Sequence, residues 1–184
     1  MAHVCPWYIG YFLINPLRFL VQRPSKILKP HVKAGDTAFE PGAGMGFFTL
    51  ELARRVGPEG HVHVVDIQPR MLKVLERRAA KAGVRSRIDL RLATGDSLGV
   101  GDLAGRVDFV LAFAMVHEMP DIARFFTEAG AVLKKGGRML LAEPRGHVSD
   151  DAFADELYHA ARNGLRPAGR PRIWDSHAAV LEKA

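Results

Sequence analysis

A short apolar run, a cluster of glycines and a distant acid together restrict what this chain can fold into. The run 37–39 leads into Glu40, and the segment 42–46 then carries a glycine at every second position. A second apolar run, 61–65, ends at Asp66. This order predicts a strand, a tight loop and a helix N-terminus, followed by a second strand with an acid at its end. In α/β sheets, a nucleotide-like ligand binds at such a place.

The details of the loop indicate which ligand it suits. The dinucleotide fingerprint requires a third glycine where this chain has Phe47. The carboxylate of Glu40 beside the loop would repel a pyrophosphate, whereas it would attract an ammonium group. S-adenosylmethionine carries an ammonium, a sulfonium, a ribose and an adenine, and it has no phosphate. The loop therefore favours this ligand over a nicotinamide dinucleotide.

The chain resembles the class I S-adenosylmethionine-dependent methyltransferases over most of its length. Segment 40–46 resembles the first motif of that family, and 65–67 resembles its ribose-binding strand end. Segment 94–97 is similar to the stretch that contacts adenine, 107–112 to the fourth strand, and 133–141 to the turn into the fifth. The five segments follow one another in the order that the family has, which is more specific than the loop alone.

The resemblance implies a role for each matching residue. The loop glycines would lie under the methionine and sulfonium end, Glu40 would hold the ammonium group, and Asp66 would accept from the ribose hydroxyls. Two structural alternatives remain: Glu40 as a carboxylate at a helix terminus, and Asp66 as a cap of its strand. Ile67 would pack on the adenine face, and Asp96 would accept from the adenine amino group. The full set of expected cofactor residues is Glu40, Gly42, Gly44, Gly46, Asp66, Ile67, Asp96, Ser97 and Phe113.

The alternation of strand and helix patterns predicts a doubly wound, mostly parallel Rossmann-like α/β sheet with helices on both faces. Residues 36–184 would form this domain, and residues 1–35 an aromatic N-terminal extension. At its end we expect an antiparallel hairpin built from 172–174 and 178–181. Spacing and capping residues predict the elements between the glycine loop and this hairpin. The predicted strands are His61–Val65, Ile88–Leu92, Val107–Ala112 and Arg138–Ala142. The predicted helices are Thr49–Val56, one from Pro69 stopped by Gly83, one from Asp121 through Val132 and one capped by Ser149.

Bulk composition limits the setting of the protein. The chain has 184 residues, 48% of them hydrophobic and 25% charged, as in one globular domain. Its single cysteine, Cys5, excludes an internal disulfide and fits a reducing compartment. The apolar stretch 6–21 is interrupted by Asn15, Pro16 and Arg18, so we expect neither a secretory signal nor a membrane span. A cytoplasmic location without membrane association follows as an expectation.

The residues after the fourth and fifth strands are the candidates for chemistry, because ligands bind beyond the carboxyl ends of parallel strands. His117 could remove a proton from a methyl acceptor, since its ordinary pKa lies near neutrality; the alternative is that it caps the next helix. His147 is a second candidate of the same kind. Arg145 could pair with an acidic group of the acceptor, and Glu118 and Glu143 could fix these partners.

The aromatic extension has two interpretations. Its residues Tyr8, Tyr11 and Phe12 could form a lid over the sulfonium and an apolar acceptor, since aromatic faces attract cationic sulfur. The alternative is a helix packed at the edge of the sheet. His61 and His63 share one strand face, but no third ligand accompanies them, so we predict no metal site.

The pattern favours a methyltransferase acting on a small-molecule acceptor, as a monomer or a homodimer. RNA methylation is one alternative, motivated by a net charge of +6 and by the arginines near the C-terminus, although the charge also fits a merely basic surface. A second alternative is a protein that binds S-adenosylmethionine or S-adenosylhomocysteine without turnover. The atom that accepts the methyl group stays undetermined, and a chain with one cysteine is poorly suited to arsenic bound by thiolates.

Overall fold

The computed structural model describes residues 21–93 and 97–184. The chain divides into two compact units, one ending at Ala93 and the other beginning at Thr94. The expected boundary between an extension and a domain at residue 35 stays a prediction. Tyr8, Tyr11, Phe12 and Asp96 lie outside the described residues, as does Cys5.

The first unit is a parallel α/β arrangement. Its strands lie in the order β3-β2-β1, and both pairings are parallel. The short helix α1 lies within the expected extension, for which a helix was one of the two interpretations. The elements are α1 (Pro24–Leu28), β1 (Thr37–Pro41), α2 (Thr49–Val56), β2 (His61–Asp66), α3 (Pro69–Lys81) and β3 (Ile88–Leu92), with a 3₁₀ turn at Arg85–Arg87 before β3.

Helical spacing predicted the buried faces of this unit well. In α2, the four buried residues are the four that the spacing assigns to its inner face: Thr49, Leu52, Ala53 and Val56. In α3, Leu72, Leu75 and Ala79 are buried as expected, whereas Ala82 is the C-cap and only half-buried. In the edge strand β3, Leu92 remains 50% exposed. An edge strand has a neighbour on one side only, so its end is covered less.

The second unit joins a parallel pair to an antiparallel hairpin. Its strand order is β4-β5-β7-β6, with β4 parallel to β5 and with β7 antiparallel to both of its neighbours. The elements are β4 (Val107–Phe113), α4 (Ile122–Val132), β5 (Leu133–Pro144), α5 (Asp150–Arg162), β6 (Leu165–Gly169) and β7 (Ser176–Lys183), with 3₁₀ turns at Gly101–Leu103 and Val116–Glu118.

Two capping residues begin the helices of this unit where the sequence placed them. The side chain of Asp121 accepts from the backbone N–H of Arg124 at 2.8 Å at the start of α4. The hydroxyl of Ser149 accepts from the N–H of Ala152 at 3.1 Å at the start of α5. Each bond satisfies a backbone donor that the first helical turn leaves unpaired.

The C-terminal hairpin exists, but the prediction of its first strand was wrong. Strand β6 is Leu165–Gly169, and residues 172–174 lie in the connection to β7. There the N–H of Ser176 donates to the carbonyl of Ile173 at 3.2 Å and closes a turn, while Trp174 is 62% exposed. Pro171 just before this stretch has no N–H for a strand ladder, which favours a loop at this point.

Parallel pairings and an antiparallel C-terminal hairpin are the features that the strand and helix pattern predicted, and this prediction of the fold class is confirmed. Within residues 21–93 and 97–184, no helix combines the length and the apolar character that a membrane span requires.

Candidate active site

Asp66 anchors the glycine loop to the end of β2. The N–H of Gly44 donates to its Oδ2 at 2.8 Å, and the N–H of Gln68 donates to its Oδ1 at 2.8 Å. The side chain is buried, and burial raises its pKa although backbone hydrogen bonds from Gln68, Gly44 and Ile67 oppose the shift. Asp66 therefore does cap its strand. Each carboxylate oxygen can still accept a further hydrogen bond, so a ribose role remains compatible with this geometry.

Glu40 is a buried carboxyl group that forms a short hydrogen bond with a side chain. The hydroxyl of Thr49, the first residue of α2, donates to its Oε2 at 2.6 Å. Burial raises the pKa of Glu40 to about 8; the Thr49 bond lowers it and the charge of Asp66 raises it further. The free protein thus keeps Glu40 largely protonated at neutral pH. A cation placed against it would favour the ionised form.

The loop glycines serve two different purposes. Gly44 has φ +55°, and a Cβ atom built on it would meet nothing within 4 Å, so a ligand can approach its backbone. Gly46 has φ +79°, and a Cβ atom there would lie 2.2 Å from Cδ1 of Leu75. Gly44 therefore leaves room beside the loop, whereas Gly46 permits α3 to pack against it.

Arg78 on α3 is a loop contact that the sequence did not reveal. Its guanidinium group donates to the carbonyl oxygen of Met45 in the middle of the glycine loop. Burial lowers the pKa of Arg78. Its helical spacing from Leu75, which touches Gly46, was the available signal, because residues three apart share a helix face.

The remaining cofactor candidates differ in what surrounds them. Ile67 follows β2 and is 45% exposed, an apolar surface that suits the face of an adenine ring. Phe113 is half-buried at the end of β4. The hydroxyl of Ser97 donates to Oε2 of Glu128 at 3.2 Å and accepts from the N–H of Gly99 at 3.1 Å. The structure thus gives Ser97 a local role, and its cofactor role stays a prediction.

These features fit S-adenosylmethionine, the ligand that the sequence suggested. The first unit offers a buried carboxyl for an ammonium group, an acid with spare acceptor capacity, open space beside Gly44 and an exposed apolar side chain at Ile67. A ligand with an ammonium group, ribose hydroxyls and a flat apolar ring matches all four. A pyrophosphate offers no cation to Glu40, and the ionised carboxylate of Asp66 would repel it.

In the second unit, Glu143 ties the turn after β4 to the end of β5. Its side chain is fully buried, and Oε1 accepts from the N–H groups of Met115 at 3.1 Å and Val116 at 2.9 Å. Its Oε2 contacts Nδ1 of His117. The expectation that Glu143 fixes a neighbouring partner therefore agrees with the contacts observed.

The contact with Glu143 defines the state of the His117 ring. Because a carboxylate only accepts, Nδ1 donates and Nε2 is the nitrogen that can take up a proton. The hydrogen bond that His117 donates to Glu143 raises the pKa of His117, and burial works against this shift; the charges of Glu143 and Glu118 add to the increase. His147 lies edge-to-face with His117 at 5.5 Å between ring centroids and is exposed.

A second buried carboxyl lies near this pair and was missed from the sequence. Glu156 on α5 is 1% exposed, and its Oε2 has no hydrogen-bond partner among residues 21–93 and 97–184. Burial raises its pKa to about 8, and the charges of Glu143 and Asp155 contribute. The sequence signal for the burial of Glu156 was its position three residues after the apolar Phe153, which places both residues on one helix face. Leu157, the next residue on α5, is only half-buried.

The histidine pair on β2 is a local contact. The rings of His61 and His63 lie 4.9 Å apart, and Nδ1 of His63 lies 3.1 Å from Oδ2 of Asp89. Across the described ranges, 21–93 and 97–184, no three His, Cys, Asp or Glu side chains come together in a group suited to a metal ion.

Comparison with known proteins identifies the family. Residues 32–177 match the family described as "Methyltransferase domain". This chain belongs to that family. The resemblance to class I S-adenosylmethionine-dependent methyltransferases is thereby confirmed.

Two curated relatives show how far the similarity extends. An arsenite methyltransferase from Halobacterium salinarum is 32% identical over 143 residues, which are 78% of this chain and 32% of the relative. A ubiquinone/menaquinone biosynthesis C-methyltransferase from Brucella anthropi is 30% identical over 136 residues, 72% of this chain and 51% of the relative. The chain thus spans 32% of the length of the first relative and 51% of the length of the second.

Solved structures share the fold of this methyltransferase-domain chain. An S-adenosylmethionine-dependent methyltransferase from Aquifex aeolicus aligns with a TM-score of 0.86 and 19% identity, covering 98% of this chain and all of that one (100%). The geranyl diphosphate C-methyltransferase from Streptomyces coelicolor, solved with S-adenosyl-L-homocysteine, aligns with a TM-score of 0.69 and 17% identity, covering 87% of this chain and 75% of that one. At these identities the likeness establishes the Rossmann-like fold.

Proposed function

We propose that this protein is an S-adenosylmethionine-dependent methyltransferase that acts on a small-molecule acceptor. The observation that carries the proposal is the group formed by Glu40, Gly44 and Asp66 at the carboxyl ends of β1 and β2. It combines a buried carboxyl for an ammonium group with an acid held by the glycine loop. The family assignment supports the same reading.

The residues of the first unit would hold the methyl donor. S-adenosylmethionine supplies a methyl group already activated on a sulfonium. Glu40 would lose its proton to become the counter-charge of the ammonium group, and Asp66 would accept from ribose hydroxyls. Ile67 would cover one face of the adenine. The work left to the chain is then positioning, exclusion of water and removal of a proton from the acceptor.

His117 is the residue that we propose for proton removal. Its Nδ1 is engaged by Glu143, so Nε2 is available to take up a proton from an acceptor hydroxyl, amine or acidic carbon. Glu143 would orient the ring and stabilise the imidazolium that forms. Burial of Glu143 and its two backbone donors keep that carboxylate in place.

The identity of the acceptor does not follow from the relatives. Their names refer to arsenite, to quinone precursors and to geranyl diphosphate, which differ in chemistry. This chain has a single cysteine, so it lacks a set of thiolates for arsenic, and we propose an organic acceptor. We further propose a cytoplasmic protein, monomeric or homodimeric, without membrane association.

The proposal is tested by supplying methyl-labelled S-adenosylmethionine together with either a small-metabolite extract or total RNA. We expect label in the small-molecule fraction. In the variant His117→Asn, this activity should fall by a factor of about 10² to 10⁴, while the donor should still bind. The control His159→Asn, on α5, should retain the activity.

Two results would favour the alternatives instead. Label that enters only RNA would support an RNA methyltransferase. Donor binding without transfer to either fraction would support a non-catalytic binding protein.

A further inference from the structure

A cavity of about 390 Å³ lies in the second unit between α5 and the connection from β6 to β7. Its charged rim is formed by Arg145, which follows β5, and by Arg170 and Arg172 in that connection. The volume is in the range of pockets that bind small metabolites. Three guanidinium groups around one cavity indicate an anionic occupant.

These three arginines have no acidic partner among the described residues, whereas six other described arginines have one. Among the described residues, none of the three forms a side-chain hydrogen bond or ion pair. By contrast, arginines elsewhere pair with carboxylates: Arg54 and Arg55 with Glu51, Arg85 with Glu76, Arg91 with Asp89, Arg124 with Glu128 and Arg138 with Glu182. Like charges placed together without counter-charges repel one another, so an anion entering the cavity would relieve this repulsion.

The one carboxylate in the cavity lining has its own partner. Asp150 is exposed, and its Oδ1 lies 3.4 Å from Nδ1 of His177. Nε2 of the same ring donates to the carbonyl of Val148 at 3.0 Å. Asp150 therefore offsets only part of the positive charge of the three arginines.

The rest of the lining is largely apolar. Leu157 and Ile173, both half-buried, contribute carbon surface, while the buried Phe153 stacks on His177 at 5.2 Å between ring centroids. A simple inorganic anion would leave this surface uncovered. An occupant with an anionic head and an apolar body would use both parts of the cavity.

The cavity adjoins the His117–Glu143 pair through the pairing of β5 and β7. Glu143 is the register partner of His177, and Pro144 is the partner of Ser176. Directly opposed residues of an antiparallel pair place their side chains on the same face, with Cβ atoms about 5 Å apart. His177 and Ser176 both line the cavity. An occupant of the cavity therefore lies next to the residue that holds His117.

We propose that this cavity binds the phosphate or carboxylate group of the methyl acceptor, with the apolar part of the acceptor against Leu157 and Ile173. The assignment of the occupant as the acceptor rests on the function proposed above. The binding of an anionic amphiphile at this place is a separate property, and it can be measured without the methyl donor.

The test is a calorimetric titration of the full chain, at an ionic strength of about 0.15 M, with octyl phosphate, octanoate, octanol and inorganic phosphate. We expect at least one of the two anionic amphiphiles to bind, and the pair distinguishes a phosphate from a carboxylate preference. Octanol and inorganic phosphate should bind at least about tenfold more weakly. The variant Arg170→Gln/Arg172→Gln should lose at least about tenfold in affinity, since hydrogen bonds to charged groups are lost.

The control variant is Arg106→Gln/Arg166→Gln, which removes the same charge from exposed positions of the same unit outside the cavity. It should bind the probes within about twofold of the unmodified protein. Equal affinities for the unmodified protein and the cavity variant would overturn the proposal. Equal losses in both variants, or binding of neither amphiphile, would overturn it as well.

A parallel titration with S-adenosylmethionine separates this proposal from the function on which it rests. The cavity variant should bind the donor as the unmodified protein does. If neither the unmodified protein nor the two variants bind the donor, that result counts against the methyltransferase function. The amphiphile titrations would still decide whether the cavity is an anion site.

Discussion

The backbone N–H of Gly44 lies 2.8 Å from Oδ2 of Asp66 and donates a hydrogen bond to it. This bond joins the middle of the glycine loop to the end of β2, across 22 positions of sequence. Asp66, proposed for the ribose, and the glycine loop, proposed for the methionine end, are therefore held together directly. A change at either residue should therefore affect donor binding.

Replacing the two loop glycines should separate ligand space from packing. In Gly44→Ala, the added methyl group enters the open space beside the loop, so affinity for S-adenosylmethionine should fall at least about tenfold. In Gly46→Ala, the methyl group meets Leu75, so stability should fall more, by about 1–3 kcal/mol. Calorimetry and urea unfolding would measure the two effects.

Gly83→Ala is the matched control for these variants. Gly83 also has positive φ and open space around it, but it lies at the end of α3 and outside the loop. It should show the backbone strain alone, with unchanged donor affinity. An affinity of Gly44→Ala equal to that of this control would contradict the open space as part of the donor site.

Donor binding should release a proton from Glu40. Burial holds the pKa of this carboxyl at about 8, so it is largely protonated at pH 7, and an ammonium group would lower the pKa. Calorimetric titrations at pH 7 in two buffers of different ionisation enthalpy should reveal close to one proton released. The release should decline as the pH rises above about 8, where Glu40 is already ionised, and should vanish in Glu40→Gln. Binding without proton exchange in the unmodified protein would refute this role.

The pH profile of methyl transfer should report the state of His117. As a base it must be deprotonated, and Glu143 raises its pKa above the ordinary 6.5, so kcat/KM should rise with pH through an apparent pKa above that value. Glu143→Gln should shift this limb to lower pH and lower the plateau. Glu118→Gln should shift it in the same direction but less, because the charge of Glu118 is the smallest of the causes. A limb unmoved by Glu143→Gln would count against the pair.

Glu156 should lower the stability of the protein as the pH rises. The folded state retains its proton up to a pKa of about 8, whereas the ordinary value is 4.5. Between these values the unfolded chain binds fewer protons than the folded one, so the free energy of unfolding decreases with increasing pH. Between pH 5 and pH 8, the free energy of unfolding of Glu156→Gln should therefore exceed that of the unmodified protein by on the order of 1–3 kcal/mol.

Urea unfolding at several pH values would measure this gain. The control Glu59→Gln alters an exposed carboxylate and should follow the pH dependence of the unmodified protein. If Glu156→Gln also runs parallel to it, the buried carboxyl does not titrate as described.

Helical spacing, capping residues and apolar runs were sufficient to predict the helices and strands whose formation depends on neighbouring residues. The inner face of α2 follows from helical spacing alone, and the caps Asp121 and Ser149 act within three residues of their own position. The strand ends that carry Asp66 and Glu143 were placed in the same way, because a parallel strand is a continuous apolar run. Local sequence was therefore sufficient for most of the core fold.

Contacts between distant segments could not be read in this way. The loop contact of Arg78 spans 33 positions, and the bond from Ser97 to Glu128 spans 31. Burial of Glu156 also depends on what α5 packs against, and a carboxyl on a helix is ordinarily solvated. The first strand of the hairpin was misplaced because Leu165–Gly169 carries one large apolar residue, whereas 172–174 carries two.

The most direct test of the account is a calorimetric titration of the purified protein with S-adenosylmethionine, S-adenosylhomocysteine and NADH, beside the variant Asp66→Ala. The account predicts saturable binding of both adenosyl ligands, at least tenfold weaker in Asp66→Ala, and no binding of NADH. Binding of NADH alone, or of no ligand at all, would contradict the assignment of Glu40, the glycine loop and Asp66 as a methyl-donor site.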